Sequence, residues 1–186
     1  MVKPGVRITG GDFRGRALAV PPGARPTEGR VREALFSIWR ERLEGARVLD
    51  LFAGSGAVAL EALSRGALSA LAVDADLRKV KIVQGNADRL GERLLEIRRL
   101  NLPAGLARLV EQGAGPFDLV FADPPYGFDA YADLLQGVVP LLAPDAEMAA
   151  EHSARRELPL EAGPLTRVDV RRYGESAVSF YRLGPR

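Results

Sequence analysis

The stretch Val48-Leu49-Asp50-Leu51-Phe52-Ala53-Gly54-Ser55-Gly56-Ala57-Val58-Ala59-Leu60-Glu61 constrains this chain more than any other. It reads as a short apolar strand that ends in an acid, turns on two glycines and enters a helix with no linker. Glycine lacks a Cβ, so the backbone at Gly54 and Gly56 can bend sharply and let a ligand lie against it. The helix that follows offers unpaired N–H groups at its N-terminus. Two later apolar runs end in the same way. Residues 67–73 close at Asp74, and residues 117–122 close at Asp123.

Taken in order, residues 5–20 read as a short hairpin around Gly10-Gly11, followed by a proline loop. Thr27 is placed to cap an amphipathic helix over 28–43, with Trp39 on its apolar face. After the strand at 47–51 come a helix at 56–65, the strand ending at Asp74, and a charged helix at 75–90. The pattern weakens over 91–117, where a strand at 94–99 ending near Asn101 and a helix at 103–111 are expected. A helix at 129–142, a strand at 147–151 and a terminal hairpin around Gly174-Glu175 complete the reading. Strands alternating with helices predict a mostly parallel sheet covered on both faces. Ligands of such sheets sit beyond the carboxyl ends of the strands. Asp50 with its glycines, Asp74 and the segment starting at Asp123 should therefore line one crevice.

At 186 residues the chain is long enough for one domain with a substantial core. It contains no cysteine, which excludes a disulfide framework and thiolate chemistry. No apolar run approaches the length of a membrane span, so a cytoplasmic protein without membrane or metal partners is expected. The net charge of +2 is unevenly spread: residues 1–42 hold nine basic and four acidic residues. Such a concentration is the footprint of a polyanion partner, or simply of a solvated basic face. His152, the single histidine, has no sequence partner for catalysis and is read as structural.

Gly54-Ser55-Gly56-Ala57-Val58-Ala59 fits G-x-G-x-x-G/A, and Asp74 lies 20 residues beyond Gly54 at the end of the next strand. An acid there bonds ribose hydroxyls. This pair leaves two cofactors open, a nicotinamide or flavin dinucleotide and S-adenosylmethionine. Asp123-Pro124-Pro125-Tyr126 separates them. Its prolines fix φ and remove two N–H donors, leaving a stiff corner of acceptors beside an aromatic ring. Such a corner suits a planar amine, whose N–H groups meet the acceptors while Tyr126 stacks on the ring. A dehydrogenase has no need of it.

Asp50-x-Phe52-x-Gly54-x-Gly56, with Glu61-Ala62 and Ser64-Arg65-Gly66-Ala67, resembles class I methyltransferases. Asp123-Pro124-Pro125-Tyr126 resembles the tetrad of members that methylate exocyclic or amide nitrogens. Arg7-Ile8-x-Gly10-Gly11-x-Phe13-Arg14-Gly15, Arg25-Pro26-Thr27-x-x-Arg30-Val31-Arg32-Glu33 and Arg172-Tyr173-Gly174 are similar to one group, the bacterial 16S ribosomal RNA guanine-N2 methyltransferases of the RsmD family. That resemblance implies a Rossmann-like α/β fold with a seven-stranded, mostly parallel sheet whose last strand is antiparallel. It adds an N-terminal β-hairpin at 1–26 to a methyltransferase domain at 27–186.

It also implies roles. Asp123, Pro124, Pro125 and Tyr126 would form the catalytic tetrad. Asp50, Phe52, Ala53, Gly54 and Gly56 would border the methionine part of S-adenosylmethionine, and Asp74 its ribose. Asn101 would lie near the adenine, and Thr27 and Asp123 would also face the cofactor. Arg14, Arg16, Arg30 and Arg32 would contact RNA. The implied substrate is 16S rRNA, in a partly or fully assembled small subunit. Adenine N6 in DNA or a protein amide stays open as the methyl acceptor, as does, more remotely, a nicotinamide oxidoreductase.

Overall fold

A computed structural model describes residues 4–23 and 28–184. Thr27 and the expected boundary at 26 fall outside them. β1 (Pro4–Arg7) and β2 (Ala17–Ala19) form a two-stranded antiparallel sheet. The main sheet contains β3 (Arg47–Leu51), β4 (Ser69–Asp74), β5 (Leu95–Arg99), β6 (Phe117–Ala122), β7 (Leu142–Ser153), β8 (Glu161–Ala162), β9 (Leu165–Tyr173) and β10 (Ser176–Leu183). Their order is β5-β4-β3-β6-β7-β10-β9-β8. From β5 to β7 the pairing is parallel, and β10 runs antiparallel to both β7 and β9. The expected seven strands are present, with a two-residue eighth, β8, added at the edge.

The helices are α1 (Glu28–Ile38), α2 (Ala57–Ser64), α3 (Leu77–Leu90), α4 (Leu106–Glu111) and α5 (Tyr131–Val138). They cover the two sheet faces separately. Successive strand residues point to opposite sides, so Val48, Ala72, Leu119 and Phe121 pack with α1, α2 and α3. Leu49, Leu51, Val73 and Val120 pack with α4 and α5 on the other side. Both faces are buried, which is why these strands read as apolar runs rather than as alternation.

Several boundaries differ from expectation. The helix expected over 28–43 ends at Ile38, and a separate 3-10 turn covers Arg40–Arg42. The one expected over 129–142 likewise stops at Val138 before a 3-10 turn at Val139–Leu141, where Pro140 has no N–H to extend it. The strand expected at 147–151 extends to Leu142–Ser153, because a bulge absorbs the Pro144 region. In that bulge Phe117 pairs with Leu142, but Leu119 already pairs with Glu147.

The N-terminal sheet is fastened to α2 and α3. Ile8 and Leu18 pack on Leu60 and Ala87. Thr9 N–H donates to Glu61 Oε1 at 3.0 Å, and Phe13 N–H to Ser64 Oγ at 2.9 Å. Asn86 Oδ1 accepts from Ala19 N–H at 2.8 Å, while its amide donates to the carbonyls of Ala19 and Ser55. Asn86 thereby ties the hairpin to the glycine turn.

Candidate active site

The turn after β3 is built from three residues with positive φ: Phe52 at 60°, Gly54 at 59° and Gly56 at 77°. The two glycines serve different purposes. A Cβ on Gly56 would stand 2.7 Å from Val83 Cγ1, so this position lets α3 pack against the turn. A Cβ on Gly54 would meet nothing within 4 Å, so the surface there lies open to a ligand. Phe52 is the surprise, since a non-glycine residue in the left-handed region is uncommon and such residues cluster at functional sites. Its ring meets Phe128 edge-on with centroids 5.3 Å apart, which joins the turn to the loop after β6.

Strand register places the acids side by side. Leu51 pairs with Val73 on one flank and Ala122 on the other, so the next residues, Asp74 and Asp123, flank Phe52. Asp74 is buried, with Oδ2 accepting from Gly54 N–H and Oδ1 from Asp76 N–H, both at 3.0 Å. Asp50 points to the α2 side, where Oδ2 accepts from Ala59 N–H at 3.1 Å. Burial pushes the Asp50 carboxyl well above the ordinary carboxylate range. The Ala59 hydrogen bond opposes the rise, and the charges of Asp123 and Asp74 add to it. Asp50 thus feels the charges of Asp123 and Asp74, and the field of these acids in the crevice favours a cation.

The tetrad begins where β6 ends. Asp123 N–H donates to Leu51 O at 3.3 Å, continuing the ladder, and Phe128 N–H donates to Pro125 O at 3.1 Å, closing a turn. Pro124 is buried, whereas Tyr126 is 88% exposed, the most exposed large hydrophobic side chain among the described residues. Phe128 continues edge-to-face to Tyr131, and Tyr131 to His152. Tyr131 OH donates to Glu151 O at 3.1 Å. His152 is buried, its Nδ1–H directed at Ser153 O and Nε2 at the Ser179 hydroxyl, which is the structural setting expected of it.

Of the remaining candidates, Asn101 lies just past β5 at the same sheet edge, where its carbonyl accepts from Gly105 N–H at 2.6 Å. Arg14, Arg16 and Arg30 are exposed, with Arg16 donating to Arg89 O. Arg32 departs from the expectation of an RNA contact. It is 5% exposed, its Nε donates to Glu61 Oε2 at 2.9 Å and its Nη2 to Arg7 O at 2.7 Å. Its charge is committed inside the fold, because the apolar face of α1 turns it inward. Sequence reading also passed over Glu61 and Asn86 as linking residues. Their partners lie up to 67 residues away, and no local pattern announces them.

Among the described residues no group of three or more acids, histidines or cysteines is placed to hold a metal ion. No described helix is long and apolar enough to cross a membrane.

The family described as Conserved hypothetical protein 95 matches residues 6–182. Ribosomal RNA small subunit methyltransferase D of Escherichia coli K12 is 38% identical over 168 residues, spanning 85% of this chain and 77% of that protein. The chain belongs to the RsmD family. A hypothetical protein of Thermus thermophilus has a structure similar to this RsmD-family chain. It has a TM-score of 0.82 at 36% identity, covering 96% of this chain and 99% of that one. The solved protein SMU.776, complexed with SAH, shares the fold at 15% identity and a TM-score of 0.72, covering 92% of this chain and 52% of its own. The sheet of this RsmD-family chain thus sets the glycine turn, Asp74 and the proline tetrad along one edge.

Proposed function

We propose that this chain transfers a methyl group from S-adenosylmethionine to the exocyclic N2 amine of a guanine in 16S rRNA. The observation that carries the reading is that Asp123-Pro124-Pro125-Tyr126 stands beside Asp74 and the open face of Gly54. The residues present fit the cofactor. A carboxylate has about four lone-pair positions, and each Asp74 oxygen uses one on a backbone N–H. One remains on each oxygen for a pair of ribose hydroxyls. The open face of Gly54 admits the body of the ligand, and the three acids favour its positive charge. SMU.776, which shares the fold, is itself complexed with SAH.

When bound, S-adenosylmethionine supplies an electrophilic methyl group. The chain's own residues position the amine and stabilise its charge. Tyr126 stacks on the extruded base, and such stacking contributes about 1–3 kcal/mol per base. Asp123 accepts from the amine N–H and holds its lone pair out of the ring. An ordinary carboxylate near pKa 4 is a weak base. Asp123 therefore acts chiefly by stabilising the positive charge that grows on nitrogen, and the proton then passes to water. Taking the base out of its stack costs a few kcal/mol, less where the RNA already leaves it unpaired.

Labelled cofactor incubated with naked 16S RNA, or with small subunits lacking the modification, tests the proposal. Label mapped to a guanine N2 is the expected result, with particles the better substrate. Label on adenine N6 of DNA or on a protein amide, or binding of NAD in place of S-adenosylmethionine, overturns it.

Asp50 yields a second expectation. Its native carboxyl holds a proton to higher pH than the unfolded chain does. Stability therefore falls as pH rises from the ordinary aspartate value through the raised one. Asp50→Asn keeps an acceptor for Ala59 N–H and removes the charge that the carboxyl gains above its raised value. At a pH above that raised value its Tm should exceed the wild-type Tm by about 3 °C, equivalent to about 1 kcal/mol. The same change weakens the field on a cation. Calorimetry should show affinity for S-adenosylmethionine falling about tenfold, or 1.4 kcal/mol, with the uncharged demethylated product much less affected. Equal losses for both ligands would refute an electrostatic role.

A further inference from the structure

The three acids that favour a cation also repel a phosphate backbone, so an RNA strand that delivers a base here needs basic seats beside the crevice. The exposed arginines of the N-terminal hairpin and α1 offer one. A second basic cluster, which sequence reading did not single out, lies at the carboxyl end of the sheet beyond β7. A pocket of about 270 Å³ is lined there by Arg155, Arg156, Arg167, Arg172, Glu157 and His152, among others.

Register fixes its position. His152 pairs with Ala177, and Ala177 with Arg172, so these residues stand level across three strands. Ala122 at the end of β6 pairs with Ala150. Ser153 therefore projects three residues further, roughly 10 Å past the end of β6 on the crevice side. Three interstrand steps, from β6 through β7 and β10 to β9, place the far wall roughly 14 Å from the tetrad strand. The near wall is tied to the tetrad loop itself, because Arg156 pairs with Asp129 and lies 5.5 Å from the Tyr131 ring centroid.

The charge balance favours an anion. Four arginines face Glu157, which pairs with Arg167 at 3.3 Å, and Asp129, which pairs with Arg156. Two positive charges are left over. Arg172 donates to Ala154 O at 2.8 Å, which orients its guanidinium but does not neutralise it. Arg155 is exposed at the rim. The potential reaches the pocket floor. Burial holds the His152 imidazole below its ordinary value, backbone hydrogen bonds to Ser153 and Arg156 oppose the fall, and the charges of Arg167 and Arg172 deepen it. A planar fork of N–H donors in a concave pocket matches a phosphate oxygen pair.

We propose that this arginine pocket seats a backbone phosphate of the substrate RNA a few nucleotides from the methylated base, on the side of the crevice remote from the N-terminal hairpin. The proposal rests on the RNA reading above and adds a second anchoring point to it. Two anchors flanking an acidic centre would hold the strand across the crevice while only the base enters it.

Binding of the full chain to radiolabelled naked 16S RNA, titrated against salt, tests the pocket independently of catalysis. Each phosphate contact contributes about 0.7 to the slope of log K against log salt for single-stranded RNA. Arg155→Gln and Arg172→Gln should each make the slope shallower by about 0.7. Affinity at fixed salt should fall about tenfold, the lower end for a lost charge-assisted hydrogen bond. Arg172→Lys should restore the slope, which a merely structural role for Arg172 would not predict. Arg155, whose side chain is exposed, keeps the test sound should Arg172→Gln disturb Ala154. Unchanged slopes in both glutamine variants overturn the proposal. A loss of affinity for assembled small subunits but not for naked RNA also overturns it, in favour of a ribosomal protein contact. Failure of the wild-type chain to methylate 16S RNA counts against the function proposed above, whereas the salt slopes report on the pocket alone.

Discussion

Asp123→Asn is expected to lower the rate of methyl transfer to 16S rRNA by about 10²- to 10³-fold, while Tyr126→Ala raises KM for the RNA by roughly 5- to 150-fold. The two effects differ in kind. Asp123 is assigned to charge that develops on the amine during reaction, and removing one such preorganised group costs about 10²–10³ in kcat. Tyr126 is assigned to the bound base, whose stacking contributes about 1–3 kcal/mol. Tyr126→Phe should therefore keep most of the affinity, since the ring rather than the hydroxyl does the stacking. The Tyr126 side chain is 88% exposed, so its truncation should move stability by no more than about 0.5 kcal/mol. Cofactor affinity measured by calorimetry should stay within about threefold for Tyr126→Ala. Asp123→Asn carries an internal check: it removes one charge that raises the Asp50 carboxyl, which should titrate lower in the variant. Single-turnover assays with labelled donor separate chemistry from binding. Near-normal turnover in Asp123→Asn would remove the carboxylate from the mechanism.

The crevice was legible because its parts obey local rules. Apart from Asp50 and Asp118, the runs at Val48–Leu51 and Phe117–Ala122 are apolar on both faces, so they announce buried parallel strands. Acids and glycines at their ends then mark the ligand edge. Where the pattern is weak, boundaries slipped. α4 begins at Leu106 rather than 103, because residues 102–105 form a turn and Leu106 N–H reaches back to Pro103 O. Phe52 could not be recognised as left-handed, since nothing in its side chain favours that conformation and the surrounding turn imposes it. The arginine pocket escaped for a topological reason. Arg155 and Arg172 are 17 positions apart and meet only because β10 returns antiparallel between β7 and β9. Arg32 misled because an arginine inside a basic segment reads as surface charge, whereas its partner Glu61 is 29 residues away.

Glu61→Gln is expected to destabilise the protein by about 3–5 kcal/mol, the usual consequence of removing one partner from a buried pair. Glu61 is fully buried on α2 and joins three parts of the chain. Oε2 accepts from Arg32 of α1 at 2.9 Å. Oε1 accepts from Thr9 N–H at 3.0 Å, from the Thr9 hydroxyl, and from Arg65 Nη2 at 3.0 Å. Glutamine preserves the shape but leaves Arg32, itself 5% exposed, without a countercharge, and its NH₂ end presents donors where acceptors are needed. At roughly 2–4 °C per kcal/mol for a chain of this size, Tm should fall by about 6–20 °C. Replacing Arg32 as well should recover part of the loss, because the uncompensated charge is then gone. A drop below about 2 °C in Glu61→Gln would show that the hub contributes little. The consequence reaches function through the N-terminal segment. Thr9 lies between the strands that carry Arg14 and Arg16 on their connecting loop, so loosening its anchor should speed hydrogen exchange at residues 8–13. RNA affinity should then suffer more than cofactor affinity, since the glycine turn keeps its own bonds through Asp74 and Asn86. A buried carboxylate remote from the reacting amine would thus act by holding the basic hairpin where RNA can reach it.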